Sequence, residues 1–207
     1  MSTAAVLPRP GVPGRPVDRL VDQQGGMPVG LAGSLGNDVP SVDPTAWIAP
    51  GAVLVGRVTV ARAASIWYGT VVRADEDEIV VGPECNIQDL CCLHVDAGEP
   101  IVLEQQVSIG HGAVVHGAHV GAGALIGIGA IALGRSRIGA GSLIAAGTIV
   151  LPGTEVPPGV LFAGVPGRIV RELTEEDRAT FAETPARYVR RAGRHRGAAW
   201  KADETGI

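Results

Sequence analysis

From Trp47 onward an aliphatic residue recurs every six positions: Ile48, Leu54, Val60, Ile66 and Val72, then Val81, Ile87 and Leu93, then Leu103, Ile109 and Val115. The series resumes at Val120 and runs through Ile126, Ala132, Ile138, Ile144, Val150 and Val156 to Phe162. Four residues after each opener the side chain is usually small, as at Ala52, Ala64, Thr70, Cys85, Cys91, Ala113, Ala124, Ala130, Ser136, Ser142 and Thr148. A period of six is neither helical nor that of a simple strand. With Gly behind the aliphatic residue, as in Val81-Gly82, Ile109-Gly110, Val120-Gly121, Ile126-Gly127 and Ile138-Gly139, it is the mark of a parallel β-helix built from hexapeptide repeats. Each rung buries its apolar positions against the next, so opener and small residue both face inward.

The register breaks in three places: Val72 to Val81, Leu93 to Leu103, and Val115 to Val120. Insertions in a solenoid become loops on one side, often the binding side. The repeat ends at Gly164-Val165-Pro166-Gly167, and Thr174-Glu175-Glu176-Asp177 then reads as a capping box. A helix is expected from about Glu175 towards residue 193, broken or kinked near Pro185. Three segments follow: an extended or mobile Gly/Pro-rich arm over 1–40, an all-β helix domain over 41–167, and a C-terminal α-helix and tail over 168–207.

Composition changes the picture in two ways. Hydrophobic residues make up 46% but aromatics only 3%, so the core is thin and aliphatic. A formal net charge of −4 supplies no basic field and excludes nucleic acid as the main partner. No apolar run approaches the roughly 18 residues of a membrane span, and the N-terminus lacks the apolar stretch of a signal peptide, so the expected location is cytoplasmic. Cys85, Cys91 and Cys92 fit a reducing compartment without disulfides, the first two in the core and Cys92 outward.

Four of the five histidines fall between residues 94 and 119. His94 and His116 each follow an opener, and Leu93 and Val115 lie one full coil apart, which stacks the two rings about 4.8 Å apart at the backbone. His111 sits two residues after Ile109, around a corner. Within one chain it cannot easily join the pair, but two chains packed face to face would bring it there, predicting a closed cyclic oligomer. The same arithmetic places Arg73 on the His94/His116 face and Gln88 and Asp89 on the His111 face. Arg73 then pairs with Asp75 in its own loop and with Asp89 across the boundary, either tying subunits together or serving the reaction. His119 and His195 read as solvated side chains, the Gly-rich stretch 121–129 as turns, and the basic run from Arg171 to Arg196 as a solvated helix face.

Arg73-Ala74-Asp75-Glu76, Asn86-Ile87-Gln88-Asp89, Leu93-His94-Val95, Gly110-His111 and Val115-His116-Gly117 appear in the order seen in the γ-class carbonic anhydrases, which the chain resembles over about residues 42–180. The resemblance implies a left-handed triangular β-helix and a homotrimer binding zinc, or iron or cobalt, through His94, His111 and His116 drawn from two subunits. It implies CO2 hydrated reversibly to bicarbonate by metal-bound hydroxide, with Arg73, Asp75, Glu76, Gln88 and Asp89 in support and Gln88 orienting hydroxide or substrate. Two departures stand out: Ala74 in place of the family's common Gly, and only Asp96-Ala97-Gly98-Glu99-Pro100 where the family's active form carries a long acidic proton-shuttle loop. Glu99 and Glu76 are the candidates for that proton transfer. Competing readings of the same β-helix are a hexapeptide-repeat acyltransferase, a metal-dependent acyl-CoA thioesterase and a non-catalytic, metal-bound assembly subunit.

Overall fold

The computed structural model describes residues 31–198 together with the backbone of Arg15–Pro16. The chain winds into a parallel β-solenoid of about seven coils, closed by a helical segment, as the repeat predicts. Stacked strands form three faces. The first runs through Ala32, Leu54, Val72, Leu93, Val115, Ala132 and Val150 in successive coils. The second runs through Val42, Val60, Val81, Leu103, Val120, Ile138 and Val156. The third runs through Ile48, Ile66, Ile87, Ile109, Ile126, Ile144 and Phe162.

Every opener from Ile48 to Phe162 is buried, and the small position four residues on is buried from Ala52 to Thr148. Cys85 and Cys91 are in this core and Cys92 is exposed. Burial pushes both core thiols up to about 12, which removes them from chemistry. The glycine behind an opener is a matter of space. A Cβ on Gly110 would lie 2.7 Å from the backbone nitrogen of Ile128 in the next coil.

All the register breaks fall at one corner, between the first and second faces. The break after Val72 is not a loop, as the spacing suggested: Val71–Val81 is one continuous strand. It pairs with Val53–Gly56, shifts register, and resumes with Val58–Val60, so the extra residues are absorbed as a bulge. The break after Leu93 closes as a hairpin in which Asp96 pairs with Glu99. A matching hairpin, Leu35 with Asp38, turns the same corner in the first coil, which begins at Leu31–Gly33, within the stretch assigned to the arm. Residues 1–14 and 17–30 of that arm lie outside the described residues.

After a hairpin of Val160–Gly164 with Gly167–Glu172, Thr174 caps helix α1 (Glu175–Ala182) through the expected capping box with Asp177. The break comes at Glu183, where helix α2 (Thr184–Arg196) starts with Pro185 in its first turn, a position Pro favours. Helix α2 packs on the third face against Trp47–Ile48, Ser65–Ile66 and Asn86–Ile87. Its anchor is a cluster of Trp47, Trp67, Tyr68, Tyr188 and Ala192. His195 belongs here too: Nδ1 lies 2.8 Å from the Tyr68 hydroxyl and the ring sits edge-on to Trp67. Its reading as a solvated side chain is therefore corrected, because α2 lays the ring among Trp47, Trp67 and Tyr68. His119 is half-buried and paired with Glu104 at 3.2 Å, which corrects that reading in the same way.

Candidate metal centre

On the first face Arg73, His94 and His116 occupy one row in three successive coils. His94 Nδ1 lies 3.0 Å from His116 Nε2, and the rings meet edge to face with centroids 5.0 Å apart. Behind the pair, His94 Nε2 lies 3.0 Å from Asp75 Oδ1, and Arg73 donates to the other oxygen of the same carboxylate. Desolvation pushes the Asp75 carboxyl up, but its own amide, Arg73 and His94 together bring it below its usual range. A carboxylate only accepts hydrogen bonds, so Nε2 of His94 carries the hydrogen and Nδ1 presents its lone pair towards His116.

His111 lies around the corner on the third face and does not join this cluster within one chain, as the hexad arithmetic predicts. Its Nδ1 lies 2.8 Å from Asp89 Oδ2, and Nε2 lies 3.4 Å from the Tyr188 hydroxyl. Asp89 is thus engaged by His111 in its own chain. Gln88 is buried, donating from Nε2 to Asn86 Oδ1 at 3.0 Å, and Asn86 in turn donates to Ser108 Oγ at 2.8 Å. Glu76 is exposed on the strand that carries Asp75. Glu99 is drawn to Arg135 Nε at 3.4 Å, two coils further on, with its side chain only 20% exposed.

Sequence reasoning missed two residues. Asp96 stands 3.8 Å from His116 Nε2 and completes a His94, Asp96, His116 group whose ligand atoms all lie within 4.8 Å of one another. Tyr188 reaches His111 from helix α2. Its signal was the stripe Pro185, Tyr188 and Ala192, which marks the buried side of the helix but not what that side covers.

The donors present fit a divalent cation. Ligands of a four-coordinate zinc stand about 3.3 Å apart, close to the spacing of His94 Nδ1 and His116 Nε2. His94 gives its second ring nitrogen to the Asp75 carboxylate, the arrangement that fixes the tautomer of a metal-ligating imidazole, and His111 sets Nδ1 beside Asp89.

A parallel β-solenoid with paired imidazoles and a carboxylate at one corner defines a hexapeptide-repeat protein with a metal-binding cluster. No family model matches the chain. It is 49% identical over 143 residues to a protein of Methanocaldococcus jannaschii named a probable carbonic anhydrase, covering 69% of this chain and 90% of that one. It is 46% identical over 162 residues to the mitochondrial gamma carbonic anhydrase 3 of Arabidopsis thaliana, covering 75% of this chain and 63% of the plant protein. A solved structure of a hexapeptide transferase family protein from Anaplasma phagocytophilum superposes with a TM-score of 0.76 at 36% identity, covering 78% of this chain and 96% of that one. The chain belongs to the γ-class carbonic anhydrase family.

Proposed function

We propose that this chain hydrates CO2 reversibly to bicarbonate at a metal site shared between neighbouring subunits of a homotrimer. The observation that carries the reading is the division of the imidazoles. His94 and His116 are 3.0 Å apart on one face, while His111, with Nδ1 2.8 Å from Asp89, presents Nε2 from another. The first face is suited to being covered. Its outward row, Leu31, Val53, Val71, Cys92, Val114, Ile131 and Ile149, is apolar or weakly polar from end to end, and Leu31 and Val71 are 53% and 38% exposed in the single chain. Burying such a face against a neighbour removes it from water and brings that neighbour's His111 to the pair.

The residues that would hold zinc, iron or cobalt are His94, His116 and the His111 of a neighbouring subunit. A divalent ion in such a set lowers the pKa of a water from 15.7 to about 7, which makes hydroxide available at neutral pH. Asp75 and Asp89 keep the hydrogens on the ring nitrogens that face away from the ion. Arg73 offsets the charge of Asp75 beside the site, and Gln88, its amide fixed by Asn86, orients the substrate. Glu76, exposed on the Asp75 strand, carries protons to solvent. The three free thiols support work in a reducing compartment such as the cytoplasm.

Stopped-flow CO2 hydration by protein of measured zinc or cobalt content tests this. The expected result is a rate that scales with metal content and is abolished by His116→Ala. Fully loaded protein with no hydration above buffer would overturn it in favour of acyl transfer, thioester hydrolysis or a structural role.

A further inference from the structure

The metal-binding reading above leaves Asp96 without a role, yet its place is strongly determined. The ten-residue step from Leu93 to Leu103 does not wander. It returns as a tight hairpin in which the Glu99 amide donates to the Asp96 carbonyl at 3.0 Å. Asp77 Oδ2 accepts from the Gly98 amide at 3.0 Å, and Arg135 holds the carboxylate of Glu99 from two coils further on. Residues from coils on both sides therefore pin the hairpin, and its first corner residue, Asp96, faces His116.

We propose that Asp96 is a metal ligand, and that His94, Asp96 and His116 form a complete capture site within a single chain. The three donors lie within 4.8 Å of one another without any contribution from His111. Two imidazoles and one carboxylate are a donor set suited to Fe(II), Co(II) or Zn(II), and as a facial triad they leave positions open on the ion. Access differs across the set. The Asp96 side chain is 63% exposed and that of His116 28%, while that of His94 is 19% exposed. Asp96 is the outermost donor and meets an incoming cation first, with the half-buried imidazoles completing the grip. The chain thus loads its ion before assembly, and the neighbour's His111 joins a site that already holds metal.

Full-length His111→Ala, which lacks the only imidazole assigned to the neighbour, separates this from a site built by assembly. Cobalt binding is measured by equilibrium dialysis and by the visible absorption of bound Co(II). The expected result is close to one Co(II) per His111→Ala chain, with binding weakened by about tenfold or more when Asp96→Asn is added, and restored by Asp96→Glu. Melting curves of the metal-free variants should coincide, since Asp96 is exposed. His111→Ala chains that bind no cobalt while the wild type does would overturn the inference and leave the shared site standing. An unchanged cobalt affinity on adding Asp96→Asn would also overturn it. A wild-type protein that binds no cobalt would remove both.

Discussion

At the scale of single residues, the site is organised by carboxylates that decide which ring nitrogen is free. Asp75 behind His94 and Asp89 behind His111 do the same work on different faces, at 3.0 Å and 2.8 Å. Replacing Asp89 with Asn keeps the size but not the charge, and lets either the oxygen or the amide face Nδ1. Asp89→Asn should lower metal affinity or hydration by about 10–100-fold with little change in melting temperature, checked by cobalt titration beside the hydration assay. The His94/His116 pair was legible because each residue directly follows its opener, and the openers Leu93 and Val115 fall one coil apart once the extra residues before Leu103 are set aside as a loop. Asp96 was not, since it lies inside a register break, where distance from the last opener no longer states which way a side chain points.

At the scale of elements, the six-residue period disclosed the strands from Ile48 to Phe162 and their inward sides. The coil through Ala32 escaped because its opener is a methyl group and the next inward position, Val42, follows after a hairpin. The bulge inside Val71–Val81 escaped because an insertion in sequence does not say whether it leaves the sheet or is taken up within a strand. The helix boundary was legible from chemistry: Thr174 accepts from the Asp177 amide at 3.1 Å, and Asp177 accepts from the Thr174 amide at 2.8 Å. Thr174→Ala should cost about 1 kcal/mol of local stability, read as roughly fivefold faster hydrogen exchange of the α1 amides. The Arg171 guanidinium, then the Thr174 amide and hydroxyl, hold the Asp177 carboxyl well below its ordinary value of 3.8. Its folded pKa is depressed, so the stabilisation is complete above that ordinary value and is lost as pH falls below it. The exchange difference between wild type and Asp177→Asn should be constant from neutral pH to about 5 and should close under stronger acid.

At the scale of the whole molecule, every departure from the six-residue period gathers at one corner, and the imidazole pair stands on that corner. The other two-thirds of the perimeter is regular scaffold, which holds the coils in register and so sets the spacing of His94 and His116. Among the described residues no helix is long and apolar enough to cross a membrane. Helix α2 covers the third face over the Trp47, Trp67 and Tyr188 cluster, whereas the apolar outward row of the first face is left for a neighbour. The central claim is that neither chain alone holds a full catalytic set. Co-expressing His94→Ala with His111→Ala tests this most directly, because each variant lacks what the other supplies and a mixed boundary recovers His94 and His116 from one chain and His111 from the other. Purified mixed assemblies should regain CO2 hydration that neither variant shows by itself; a mixture no more active than the better single variant would contradict the shared site.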